Sequence, residues 1–268
     1  MHTGISQAIV QAFKKRSTTK ITFKRSKLFA GAKNRSIEAF LANPANERQE
    51  IGQNTDPTFD QLMFYNENNQ AKGVFNWFAA HATSMKKTNK QISGDNKGYA
   101  AYAMEKYFSR QNPSFVAAFG NSNGGDASPN IAGDVDGNGS WDCKLNDNKA
   151  CAKLIGNMQY QKAKSILESP AKKLEATINA KHLFVDFSKI DVDGAQTCKA
   201  AVGKSMLAGS AEDGSGIGQE GSNCSNGFGI LNLRGCGPRF DCHGEKPVVV
   251  VSGARGWHPN VYPYSLCN

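Results

Sequence analysis

The sequence predicts an α/β (mixed α+β) fold in which a mixed β-sheet core is flanked by helices. Short apolar runs of strand length intermix along the chain with longer segments that carry the 3.6-residue apolar period of helices. Such intermixing is typical of a layered domain with a sheet at its centre. With 268 residues, of which 39% are hydrophobic, the chain is long enough for one large domain or two small ones. No domain boundary and no internal repeat are recognised.

The first third of the chain is predicted to form one helix and three strands. The helix covers residues 5–16, because Ile5, Ala8, Ile9 and Phe13 recur on one face. Alternation predicts the first strand, and two further runs predict a hairpin around residues 66–70. These strands are 19–23, 62–65 and 74–79. The intervening residues 43–57 are predicted to be loop.

The remainder is predicted to contain two helices, three strands and one irregular excursion. Pro113 and Pro170 stop the helices. The helices are 98–110 and 154–168, and the strands are 115–119, 183–187 and 248–251. Residues 209–245 are rich in Gly, Ser and Asn and form the excursion.

The segment after the strand 115–119 is the most informative part of the chain. The strand runs into a glycine-rich turn that presents Asp126 and Ser128, and Pro129 fixes the backbone just after the hydroxyl. A serine near a carboxylate on such a loop is one way to hold a nucleophile on a rigid scaffold. The alternative is a surface turn without chemistry.

Residues 125–130, Gly-Asp-Ala-Ser-Pro-Asn, resemble the Gly-Asp-Val-Ser-Pro-Asn hexapeptide of the neutral (non-lysosomal, neutral/alkaline) ceramidases. They differ from it at one apolar position. Several other segments also follow the order and approximate spacing of that family, so the resemblance covers most of residues 5–260. These segments are 34–36, 41–44, 76–85, 93–102, 197–199, 203–209 and 246–251.

The resemblance implies a zinc-dependent amidohydrolase that cleaves the amide of ceramide to sphingosine and a fatty acid. Ser128 would be the nucleophile or would position the attacking water. No histidine lies near Ser128 in the sequence, which favours activation by the metal over a Ser-His-Asp arrangement. Arg35, in the family's Asn-Arg-Ser motif, would orient Asp126 or the Ser128 loop. The alternative for Arg35 is a surface arginine within a sequon.

His81 is the zinc ligand that the resemblance implies within this chain. It follows an apolar strand and begins a polar turn, where an imidazole can reach a site above the sheet edge. The alternative is a structural histidine. The family's other ligands, a second His, a Glu and a Tyr, belong to segments outside this chain. Because catalytic zinc needs about three protein ligands, we expect residues 1–268 alone to bind no stoichiometric zinc and to hydrolyse no ceramide.

The resemblance also implies that residues 1–268 are an incomplete catalytic domain, without the family's C-terminal immunoglobulin-like domain. The alternative is a catalytically silent lipid-binding or interaction fragment that retains the fold core. The implied location is secreted or at the extracellular membrane surface. No signal peptide follows Met1, which we attribute to truncation, and no apolar run is long enough to span a membrane.

The net charge is +9, and much of it lies near the N-terminus. A solvated protein face is the first interpretation and attraction to anionic lipid the second. Nucleic-acid binding is not predicted, because no recognised motif supports it. The early basic residues are Lys14, Lys15, Arg16, Lys20, Lys24, Arg25 and Lys27.

Seven cysteines indicate an oxidising compartment, and none forms a Cys-x-x-Cys pair. The odd number leaves at least one thiol unpaired within the chain. The resemblance implies one bridge across the excursion, one short loop after the Ser128 turn and a third bridge within the excursion. These pairs are Cys198–Cys242, Cys143–Cys151 and Cys224–Cys236, and Cys267 is left over.

The acidic segment 134–142 departs from the family and predicts a second metal site. Asp134, Asp136, Asn138, Gly139 and Asp142 match positions one, three, five, six and nine of a calcium loop. Leucine stands where the loop's final glutamate should be. The alternative is therefore a solvated acidic turn.

Overall fold

A computed structural model describes most of the N-terminal two thirds of the chain and short pieces of the remainder. The described residues are 2–41, 43–86, 88–132, 143, 147–174, 179–186, 190–192, 195–197, 209–210, 214–215 and 266–267. The predicted strand 248–251 and the calcium-loop residues Asp134, Asp136, Asn138 and Asp142 lie outside them.

Five helices and twelve strands are found among the described residues. The helices are α1 His2–Lys14, α2 Ile37–Leu41, α3 Ala45–Ile51, α4 Asp95–Phe108 and α5 Asn148–Leu167. The longer strands are β1 Lys20–Lys27, β3 Thr58–Tyr65, β4 Ala71–Phe78 and β5 Val116–Asn121. The shorter strands are β2 Lys33–Asn34, β6 Ala127–Ser128, β7 Lys172–Lys173, β8 Asp191–Val192, β9 Ala195–Thr197, β10 Gly209–Ser210, β11 Gly214–Ser215 and β12 Leu266–Cys267.

A five-stranded mixed sheet with the order β5-β4-β3-β1-β7 forms the centre of the fold. Strand β4 pairs with β5 in parallel, whereas the β1–β3, β3–β4 and β1–β7 pairs are antiparallel. A separate two-stranded ladder joins β2 to β6. The predicted mixed α/β class is therefore confirmed.

The main core lies between this sheet and the helices α4 and α5. Period-two alternation in β3 directs Phe59 and Met63 inward, where they pack with Phe78 of β4, Met104 of α4 and Ile166 of α5. Both helices were predicted, as 98–110 and 154–168, and both begin before the predicted start, α4 by three residues and α5 by six. The packing of α4 and α5 against the sheet fixes the ends of β4 and β5, where the candidate site residues lie.

Two expectations about local structure are wrong. The predicted loop 43–57 contains α3, which begins after Pro44 and ends where Gly52 adopts a left-handed φ of 74°. A proline before a helix and a glycine after it are ordinary boundary signals. In the predicted strand 183–187, residues 183–186 form no strand and are exposed. An apolar run of strand length does not by itself provide a partner strand.

Candidate functional site

The candidate site lies where two parallel strands end. Strands β4 and β5 run in the same direction, with Phe78 opposite Asn121. Their carboxyl ends therefore meet at one edge of the sheet, a common location for ligand sites in sheets of this type. The segment with His81 follows β4, and the segment with Asp126 and Ser128 follows β5.

His81 contacts the Ser128 segment through both its backbone and its ring. Its backbone N–H donates to the carbonyl of Ala127 at 2.9 Å. Its ring atom Nε2 lies 2.7 Å from the carbonyl oxygen of Gly125. Because a carbonyl oxygen only accepts, Nε2 carries the proton in this hydrogen bond, and in the neutral ring Nδ1 is the nitrogen with a free lone pair. This is the usual arrangement of a metal-binding histidine, whose second nitrogen donates to a carbonyl.

Ser128 is buried, with 1% of its surface exposed. Strand β6 pairs with β2, so that Lys33 lies opposite Ser128 and Asn34 opposite Ala127. The Ser128 hydroxyl oxygen accepts a hydrogen bond from the backbone N–H of Asn130 at 3.0 Å. The alternative interpretation of this segment as a surface turn is therefore wrong for Ser128, whose strand is paired with β2.

The turn before Ser128 depends on glycine. Gly125 has a φ of 40°, in the left-handed region that favours this residue. The neighbouring Gly124 accepts a hydrogen bond from the N–H of Ala127 at 2.6 Å, which closes the turn. These contacts place the Gly125 carbonyl against the His81 ring.

Asp126 lies among three polar partners. Burial raises the pKa of the Asp126 carboxyl, whereas the charges of Arg35 and His81 and a hydrogen bond with the Ser36 side chain act in the opposite direction and lower it. The Arg35 backbone N–H also donates to the Asp126 carbonyl at 2.9 Å. Of the predicted site residues, Arg35, His81, Asp126 and Ser128 are thus brought together. Their catalytic roles stay predictions.

A buried polar network supports the turn after His81 and was missed at the sequence level. Asn96 and Gln159 are fully buried, and Asn96 donates to the His81 carbonyl. Its residues on α4 are Asp-Asn-Lys, 95–97, which directly precede the predicted helix 98–110. Polar residues at a helix start are usually solvated, so their type gives no warning of burial.

The described residues do not include a complete set of metal ligands. Among them, no group of three or more His, Cys, Asp or Glu side chains is arranged to hold a metal ion. His81 can supply one nitrogen donor, and its charge acts on the nearby Asp126 carboxyl by lowering the pKa of that group. The donor chemistry of His81 fits zinc as a single ligand.

The short disulfide predicted after the Ser128 turn is confirmed. Cys143 and Cys151 are bonded, with their Cα atoms 5.4 Å apart, and both are buried beside Ile155. The bridge attaches Cys143 to the first turn of α5. The pairs Cys198–Cys242 and Cys224–Cys236 lie outside the described residues.

Comparison with known proteins identifies the family. The family described as neutral/alkaline non-lysosomal ceramidase, N-terminal, matches residues 1–268. The chain belongs to this family. It is 34% identical to the neutral ceramidase of Pseudomonas aeruginosa over 278 residues, which cover 98% of this chain and 40% of that protein. It is 28% identical to the neutral ceramidase of Oryza sativa, with 98% of this chain and 47% of that protein covered.

Solved structures agree with this family assignment. A crystal structure of the neutral ceramidase from Pseudomonas aeruginosa superposes with a TM-score of 0.63 and 32% identity, and covers 75% of this chain and 32% of that chain. A structure titled "Ceramidase complexed with C2" gives a TM-score of 0.68 and 30% identity, and the match covers 96% of this chain and 40% of that chain. The chain thus spans less than half the length of these relatives. Within its described residues, no helix has the length and apolarity needed to cross a membrane.

Proposed function

We propose that this chain supplies part of the active site of a ceramidase, a hydrolase of linear amides that cleaves the N-acyl bond of ceramide to sphingosine and a fatty acid. One observation carries the proposal. The His81 ring is hydrogen-bonded to the segment that contains Ser128, at the carboxyl edge of two parallel strands. The relatives that match nearly the whole chain are named neutral ceramidases.

His81 would hold zinc through Nδ1. The hydrogen bond from Nε2 to the Gly125 carbonyl fixes the ring tautomer, and it couples the ring's position to the turn that carries Asp126 and Ser128. When bound, zinc polarises a carbonyl oxygen and lowers the pKa of a bound water. The remaining ligands would come from segments outside this chain.

Ser128 would be the nucleophile or would position the attacking water. Its hydroxyl oxygen accepts from the Asn130 N–H, so the hydroxyl proton is directed toward another acceptor. Burial of the side chain and the pairing of its strand with β2 hold the hydroxyl on rigid backbone. Arg35 is proposed to orient Asp126, since their charges interact and their backbones are hydrogen-bonded.

A membrane surface is the proposed location of the substrate. The apolar side chains of α1 are exposed among the described residues, and basic residues follow them directly. Helices of this kind bind anionic lipid surfaces. The exposed apolar residues of α1 are Ile5, Ile9, Val10 and Phe13, and the basic residues at and after its end are Lys14, Lys15 and Arg16. The same feature favours the second candidate function, a catalytically silent lipid-binding or interaction fragment.

Secretion, or location at the extracellular membrane surface, is part of the proposal. The Cys143–Cys151 bond supports it, because disulfides persist in oxidising compartments.

The calcium site at Asp134, Asp136, Asn138 and Asp142 remains a separate prediction. It is tested by comparing thermal unfolding in calcium and in chelator, for the wild type and for a variant with alanine at 134 and 136.

The test of the proposed function is hydrolysis of ceramide by the protein that contains this chain. Sphingosine and fatty acid should appear in equal amounts, a chelator should stop their release, and added zinc should restore it. Residues 1–268 alone should release neither product. If the folded, zinc-supplied protein releases no sphingosine but binds vesicles, the ceramidase proposal is wrong and the silent lipid-binding function is correct.

A further inference from the structure

A polar network at the start of α4 ends on the backbone of His81. Asn96 is fully buried, with 0% of its surface exposed. Its Nδ2 atom donates to the His81 carbonyl at 2.9 Å and lies 3.0 Å from the Ser84 hydroxyl. Its Oδ1 atom accepts from Gln159 of α5 at 3.0 Å. One side chain therefore connects the residue that would bind zinc to both helices.

Asp95 holds the other end of the turn. Its carboxylate accepts hydrogen bonds from the backbone N–H groups of Ser84 at 3.2 Å and Met85 at 2.8 Å. Asp95 also has a φ of 52°, a left-handed conformation that few residues other than glycine adopt. Strained backbone persists only where surrounding contacts hold it in place, and such residues concentrate at functional sites.

Lys97 fixes the end of the strand that precedes His81. Its ammonium group donates to the Phe78 carbonyl and to the Gln159 side-chain oxygen, both at 2.9 Å. Residues 95–97 thus form hydrogen bonds to the backbone before His81, at His81 and after it. The contact with Gln159 is close because α5 carries Gly156 at the point where it meets the Asn96 backbone.

We propose that Asn96 is a positioning residue for His81. The His81 backbone is held at its N–H by Ala127 and at its carbonyl by Asn96, and its ring is held by Gly125. Removal of the Asn96 amide takes away the side-chain donor to that carbonyl, so that His81 loses one of these three contacts. Partners of the second ring nitrogen of a metal-binding histidine typically change metal affinity by about 10–100-fold. Asn96 acts on the backbone that carries the ring, so we expect the lower end of that range. The part of this inference that concerns zinc rests on the proposed function.

The experiment compares Asn96→Ala with a matched control, Asn76→Ala, and both variants and the wild type are made in the longer protein that contains this chain. Asn76 is equally buried, and it hydrogen-bonds Gln61 in the sheet core instead of the His81 turn. Both variants should lose thermal stability. Competition between zinc and a chelator should show an affinity about 10-fold or more lower for Asn96→Ala and unchanged for Asn76→Ala. Gln159→Met keeps the Asn96 amide but removes both the donor to its oxygen and the acceptor of Lys97. It should lower zinc affinity in the same direction, by less than Asn96→Ala.

A second measurement does not require zinc. The rate at which diethylpyrocarbonate modifies the His81 ring is followed by mass spectrometry, with exposed His182 as the internal reference. Modification of His81 should be faster in Asn96→Ala than in the wild type and unchanged in Asn76→Ala. If wild-type protein binds no zinc, the proposed function fails, yet this rate still decides the positioning role. Wild-type zinc affinity together with a wild-type His81 modification rate in Asn96→Ala and Gln159→Met overturns the proposal.

Discussion

Replacement of Gly156 by alanine tests whether α4 and α5 approach as closely as the structure shows. A Cβ atom at this position would lie 2.5 Å from the backbone oxygen of Asn96 and 2.9 Å from the Cβ of Tyr99. Ordinary contact begins at 3.4 Å, so the helices must separate by about 0.9 Å, which is 3.4 minus 2.5. A backbone oxygen cannot rotate away as the end of a long side chain can.

The expected result is a net loss of stability. Overpacking of a closely packed interface costs about 1–3 kcal/mol, whereas alanine gains about 1 kcal/mol over glycine in a helix. The free energy of unfolding should therefore fall by about 0–2 kcal/mol, equivalent to about 2–4 °C in Tm for each kcal/mol. The separation would also pull Gln159 away from Asn96.

Gly98→Ala provides the matched control within α4. A Cβ atom there meets nothing within 4 Å, so only the helix-propensity gain of about 0.5–1 kcal/mol remains. Thermal and urea unfolding of the two variants should therefore give shifts of opposite sign. A Gly156→Ala protein as stable as Gly98→Ala, or more stable than the wild type, would refute the packing described between α4 and α5.

Two further predictions concern stability. Burial lowers the pKa of Lys97 from 10.5 to about 7. Between pH 7 and about 10.4, Lys97 therefore binds a proton in the unfolded chain but not in the folded protein. The free energy of unfolding should rise with pH across that window because of Lys97, by at most about 1.4 kcal/mol per pH unit. Lys97→Met should remove that rise, and parallel urea-unfolding curves against pH for variant and wild type would contradict this. Replacement of both Cys143 and Cys151 by alanine opens a loop with a sequence separation of 8, and in the chain-entropy model lowers the unfolding free energy by about 2–3 kcal/mol. An unchanged urea midpoint would show that the bridge constrains nothing in the unfolded chain.

The long elements of the fold could be predicted because their periods are local. The strands containing Met63 and Val74 and the helices containing Met104 and Ile155 could be recognised from their own segments, although β3 begins four residues before its predicted start. The resemblance directed attention to His81 and Ser128, and the parallel pairing of β4 with β5 then brought their segments together. That pairing is a tertiary property that neither strand's sequence contains.

The burial of Ser128 and Asn96 could not be predicted for a related reason. Ser128 is covered by β2, whose residue Lys33 is distant in the sequence. Asn96 is buried because α5 approaches it at Gly156, again from a distant segment. In both cases the local sequence is polar and indicates a solvated turn or helix start, and only packing between distant elements reverses that indication.

Ser128→Ala, measured alongside His81→Ala in the protein that contains this chain, tests the central claim most directly. Ser128→Ala removes one hydrogen bond, to the Asn130 N–H, at a cost of about 1–3 kcal/mol, and it creates no large cavity. We predict that this variant folds and keeps its zinc but no longer releases sphingosine from ceramide, whereas His81→Ala loses both zinc and activity. Near-normal turnover by Ser128→Ala, or full zinc content in His81→Ala, would contradict the roles assigned to these residues.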